Sequence, residues 1–166
     1  NIRVIAISHI WIASIYITLN KLVEAKKNAK EAIRISAELM DSSTLSDGYL
    51  RLAGCYRKLN EMDSAQLYLN KAIDINYKIK AYHQLAYALE TQTNLYDSIG
   101  SYSLALKAHR ELLRIKDTLL NSEKTAQIIE LQTKFDTEKK EKENQLLIEQ
   151  NRVQKISLYS LLVLII

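Results

Sequence analysis

Tyr16, Tyr56 and Tyr96 stand 40 residues apart, and other positions keep the same step. Ala25, Ala65 and Ala105 repeat it, as do Leu19, Leu59 and Ile99, and Ile33, Ile73 and Leu113. Asn20, Asn60 and Gly100 recur where a turn is expected. A fixed period of this size is what stacked copies of one supersecondary unit leave in a sequence, because no copy buries its apolar face alone. The middle copy, 52–75 (LAGCYRKLNEMDSAQLYLNKAIDI), reads as two short amphipathic helices joined at Asn60 and Glu61, with small residues where the helices must touch. A fourth step places Asp136 and Gln145 where Tyr and Ala should stand, so the repeat ends after three copies.

Composition agrees with helix throughout. The chain has no Pro and only 3 Gly, too few turn formers for a sheet-rich fold. Its net charge of +4 is modest, with Lys and Glu interleaved, which argues against a segregated nucleic-acid face. Chemistry is hard to find. His9, His83 and His109 lie on different helices without metal-ligand spacing. Gly48, Gly54 and Gly100 make no phosphate loop. The single Cys55 allows no intrachain disulfide and reads as a small core residue. The expectation is a non-catalytic chain with no cofactor and no metal.

In the middle copy the first helix carries Tyr49, then Leu52-Ala53, then Tyr56, and the second carries Ala65, Leu69 and Ala72. The first copy has His9, Ile12-Ala13, Tyr16, Ala25, Ala29 and Ala32 at these places, and the third has Leu89, Gln92-Thr93, Tyr96, Ala105, His109 and Leu112. This pattern resembles the tetratricopeptide repeat. The resemblance implies an all-α fold, a right-handed α-solenoid of three TPR-like helical hairpins with period 40, followed by one long C-terminal helix. The repeats would fill 1–119, with copies at about 4–41, 44–80 and 84–119. Polar Gln92 and Thr93 are the departures in the third copy.

Three local expectations follow. The Pro that usually closes the second helix is replaced by Ala37 and Tyr77, so that helix is expected to run on and lengthen the repeat. After copy one the turn is placed at 41–46, with Thr44 and Asp47 as a capping-box-like start. Residues 76–84 carry no turn signal. The first helix, 2–19, is almost wholly apolar and reads as a buried helix with an unusually apolar exposed side.

Beyond the repeats, residues 120–155 read as a capping and connector helix. The sequence leaves open a break at 117–122; from Glu123 it reads as one helix, whose Ile128, Leu131 and Phe135 would cap the third repeat. Residues 136–145 (DTEKKEKENQ) hold no apolar side chain and read as a solvated spacer. Leu146, Val153 and Ile156 could form a short coiled-coil seam, giving a homodimer through 123–156. The uncharged run 156–166 follows Arg152 and Lys155 and reads as the start of a truncated transmembrane helix, since a full span needs about 20 residues.

The runs 116–121 (KDTLLN) and 130–143 (ELQTKFDTEKKEKE) look like the linker between tetratricopeptide repeats and a membrane span in Bacteroidetes-type signalling proteins. That resemblance implies a protein–protein interaction and sensor module of an inner-membrane-anchored signal-transduction protein, commonly a histidine kinase. The repeats would be periplasmic and would relay through the long helix. The alternatives are a soluble, cytoplasmic scaffold binding partner peptides, or the sensor part of a helix-turn-helix transcriptional regulator.

In stacked repeats of this kind the first helices line the concave face, where a protein or peptide partner is expected and nucleic acid is not. By register that face holds Ile10, Ser14 and Ile17, then Leu50, Gly54, Arg57 and Lys58, then Glu90, Asn94 and Asp97. Arg57, Lys58, Glu90, Asn94 and Asp97 are the candidate partner-binding residues. The chaperone-adaptor subclass places Lys and Asn at Ile10 and Ser14, so its specificity for a terminal carboxylate is not expected here.

Overall fold

A computed structural model describes residues 2–165, with side chains over 2–155. Six helices follow one another among these residues: α1 (Ile2–Thr18), α2 (Leu22–Glu38), α3 (Ser42–Lys58), α4 (Met62–Lys78), α5 (Tyr82–Ser98) and α6 (Tyr102–Ile165). The first five are each 17 residues long. The chain divides into two compact units, Asn1–Leu119 and Leu120–Ile166.

The period of 40 is built from two equal halves. Each of the first five helices ends in the same three-residue connection, whose middle residue is left-handed: Asn20, Met40, Asn60, Lys80 and Gly100, with φ between 53° and 74°. The amide after that residue donates back to the third residue from the helix end, as in Lys21 N to Tyr16 O at 2.8 Å. The amide of the left-handed residue itself donates one turn inside, as in Asn20 N to Ile17 O at 3.2 Å. This Schellman pair satisfies carbonyls that a helix end would otherwise leave without partners. Asn and Gly mark three of the connections in the sequence, whereas Met40 and Lys80 do not, which is why the turn at 79–81 carries no local signal.

The second helix runs on as expected, and the first does so equally. Both helices of a hairpin have 17 residues, so the extra length is shared between them. The start of α3 is not at Thr44. Its N-cap is Asp41, whose carboxylate accepts from the Thr44 amide at 3.2 Å and the Thr44 hydroxyl at 2.8 Å. Asp47 therefore lies inside the helix and not in a capping box.

Small residues set the helix crossings. Ala13, Ala25, Ala29, Ala32, Ala65, Ala72 and Ala88 are almost fully buried, and Leu52, Leu69, Leu85 and Leu95 fill the space between them. Tyr56 stacks on Tyr68 at 5.4 Å between ring centres and 1° between planes, and Tyr49 stacks on Tyr68 at 5.9 Å. Lys26 lies 4.5 Å from the centre of the Tyr56 ring. Buried polar groups are mostly paired: Ser36 donates to Ala32 O, and Ser46 donates across from α3 to Ala72 O on α4. Asn76, one period after Ser36, is fully buried with neither amide atom partnered among the described residues.

The third hairpin is completed by α5 and the start of α6. Tyr96, Ala105 and Ala108 form one cluster, while Leu112 and Ile115 join the main core. The polar departures there are satisfied: Gln92 donates to Asn70 at 2.8 Å, Thr93 to the Leu89 carbonyl at 2.9 Å. His9, at the aromatic position of copy one, is half-buried and shares a 2.8 Å hydrogen bond with Asn28.

One open point about the C-terminal part is settled and one expectation is corrected. No break interrupts 117–122, because α6 continues as helix through that stretch without a glycine or proline to stop it. Ile128, Leu131 and Phe135 are each more than 60% exposed and do not form a buried cap. Among the described residues the last buried position is Ile115. Among the described residues no helix is long and apolar enough to cross a membrane. The side chains of 156–166, where a span was expected to begin, lie outside the described residues.

Candidate partner-binding groove

α1 packs against α3, and α2 and α4 lie behind as the second helices of their hairpins. The first helices α1, α3 and α5 line a cavity of about 410 Å3. Its walls include Ile17 from α1, Leu50, Arg51, Gly54 and Arg57 from α3, and Tyr87, Glu90, Thr91 and Asn94 from α5. A second depression of about 310 Å3 shares Leu50, Arg51 and Tyr87 with it and continues to Asp47, His83 and Gln84.

The 3.6-residue helical period places these side chains. On α3, Asp47, Leu50, Arg51, Gly54 and Arg57 fall at steps of three, one, three and three, which keeps them on one face. On α5, Tyr87, Glu90, Thr91 and Asn94 repeat that spacing. Gly54 makes room on the floor, since a Cβ there would find only Ile17 Cδ1, at 3.6 Å. Thr91 spends its hydroxyl on the Tyr87 carbonyl at 2.8 Å.

Of the five residues expected at a partner surface, Arg57, Glu90 and Asn94 line the same cavity. Lys58 and Asp97 are exposed but do not line it. Arg51, Tyr87 and Thr91 were absent from the sequence reading. The period alone could have found them, because each adjoins or lies three residues from a residue already assigned to that face.

The electrostatics of the wall are uneven. Burial pushes the Asp47 carboxyl up from its ordinary value, and the Arg51 charge offsets this only in part. At the foot of α3, burial also works against the Asp41 carboxylate. There the Thr44 hydroxyl and amide, with Arg3 at 2.8 Å, prevail and hold it below the ordinary range. Burial pushes the Cys55 thiol up to about 11, which keeps it protonated and unreactive at neutral pH. Among the described residues no group of His, Cys, Asp or Glu is gathered closely enough to hold a metal ion.

With the geometry in hand, the match to known families is informative. A family model described as tetratricopeptide repeat matches residues 6–39 and 46–78. The first two hairpins are tetratricopeptide repeats. The two matched segments cover α1 with α2 and α3 with α4. The third hairpin continues their architecture with Gln92, Thr93 and His109 at pattern positions. No curated protein matches the chain. Tetratricopeptide repeats mark a protein–protein interaction module, generally without catalysis.

Proposed function

We propose that this chain is a scaffold or adaptor module that holds a peptide segment of a partner protein in the groove lined by α1, α3 and α5. The observation that carries the reading is the cavity of about 410 Å3 lined by three successive first helices, into which α3 and α5 turn polar side chains. Arg57, Glu90 and Asn94 supply polar contacts there, while Ile17, Leu50 and Tyr87 supply apolar area. Sites of this size with a few convergent polar groups suit a short stretch of chain. The test is nuclear magnetic resonance of the labelled chain titrated with short peptides of random sequence. Shifts confined to residues of the groove support the proposal. Shifts confined to the outer faces of α2 and α4, or none with any peptide, refute it.

The unbroken α6 favours a second reading, in which the same module belongs to a membrane-anchored signalling protein and 123–156 pairs with a second copy. The sensor kinase and the transcriptional regulator are the two forms this would take. Cysteines placed singly along 145–154 would then cross-link at a helical period. A flat cross-linking profile refutes the paired helix.

A further inference from the structure

Arg51 differs from the other cations of the groove. Its Nε is buried and donates to no atom among the described residues. None of the ion pairs among the described residues includes its guanidinium. Yet the side chain lines both depressions. The side chain is half-buried, and a buried donor left without an acceptor is costly. Asp47, one turn earlier on α3, interacts with the Arg51 charge, but the two form no ion pair among those of the described residues, and burial raises the Asp47 pKa.

Position says what kind of group would pair with it. The two depressions share Leu50, Arg51 and Tyr87, so Arg51 stands where they adjoin, and their lining residues on α3 together mark a trough along that helix. From Asp47 to Arg57 the trough follows α3 for about 15 Å at the rise of a helix. An extended chain covers that length with about four or five residues. A chain lying along the trough therefore crosses Arg51 with an internal residue, and its end falls elsewhere. Tyr87, 53% exposed, offers an apolar ring beside the same point. Arg is the residue best suited to a planar carboxylate, and a charge-assisted hydrogen bond there is about twice as strong as a neutral one.

We propose that the trough between α3 and α5 binds an extended acidic segment of a partner protein, with an internal Asp or Glu side chain held by the Arg51 guanidinium. The proposal rests on the peptide-binding reading above and names the partner's chemistry.

Peptides blocked at both ends and carrying a central Glu, Gln or Lys in otherwise random sequence test it against the full chain. The expected result is that the Glu set binds about tenfold tighter than the Gln set. Arg51→Met should abolish that difference, while Arg51→Lys retains part of it. The comparison of Glu with Gln sets on the unaltered chain needs no variant, so a misfolded Arg51→Met leaves the test intact. Equal binding of Glu and Gln sets in the groove overturns the acidic specificity while peptide binding stands. Binding that appears only when the C-terminus is left free overturns the internal side chain as the group recognised. Absence of groove shifts with every set removes the peptide-binding reading and this proposal together.

Discussion

A Cβ built on Gly48 would lie 2.6 Å from Ile33 Cγ1, while one built on Gly54 meets an ordinary contact at 3.6 Å. Both glycines are inside α3, where Ala is favoured over Gly by up to about 1 kcal/mol. At position 48 that gain is opposed by overpacking against Ile33, a β-branched side chain with one good rotamer in a helix, at about 1–3 kcal/mol. Thermal melts should thus place Gly54→Ala above the parent and Gly48→Ala below it. Shifts of the same sign would mean that α3 does not approach α2 as closely as described. Ala65, 1% exposed at the α4 crossing, makes the companion case. Ala65→Leu should lower Tm more than Ser64→Leu, and equal effects would contradict the register of the repeat.

At the scale of elements, the five identical connections explain why the halves of each repeat are equal. Left-handed backbone is strained for a residue with a Cβ, by about 1–2 kcal/mol, and Met40 adopts it with its side chain 90% exposed. Met40→Gly should therefore raise Tm by a few degrees, as the side chain has little packing to lose. Calorimetry showing a lower Tm would argue against the Schellman geometry at 39–41. Asp41 contributes in a pH-dependent way. Its pKa is depressed on folding, so its stabilisation is complete above the unfolded value near 4 and is lost as pH falls through the lower folded value. Asp41→Ala should cost about 1 kcal/mol at neutral pH. The gap from the parent should close on acidification, as urea melts at pH 7 and below pH 3 would reveal. A gap constant with pH would remove the carboxylate from the cap. Asp47 acts with the opposite sign: its raised pKa favours folding more as pH falls through it, so the two acids partly cancel in the parent.

For the molecule as a whole, the second and third hairpins share a core that runs from Leu50 and Ala53 through Leu69 and Leu85 to Leu112 and Ile115, and the first hairpin joins it through Ala13 and Ala29 packed with Leu52. Solenoid stability is the sum of such neighbour contacts, and burial ends with the third hairpin. Every described side chain from 120 to 155 is exposed. A chain ending at residue 119 should therefore melt cooperatively with a Tm close to that of the parent. A large drop, or loss of the sigmoidal transition, would show that 120–165 stabilises the hairpins.

The sequence by itself determined the period, the helical class and the hairpin as the unit, because small residues at crossings and the tyrosines beside them must recur wherever identical helices pack. Asn20, Asn60 and Gly100 also declared their turns, being residues that tolerate left-handed backbone. The tertiary structure decided what local signals do not encode. Met40 and Lys80 adopt the same turn because the flanking helices over-determine it. The N-cap of α3 fell to Asp41, not Thr44, because its carboxylate can reach both the Thr44 amide and hydroxyl. Ile128, Leu131 and Phe135 have the period of a buried seam yet stay exposed, since periodicity records a face and not its partner. Arg57, Glu90 and Asn94 were legible as one face by register alone. Arg51 adjoins Leu50 and falls on that face by the same period, but the burial of its Nε and its place between the two depressions are decided by the tertiary structure, because a charge on a helix surface reads as solvated from sequence.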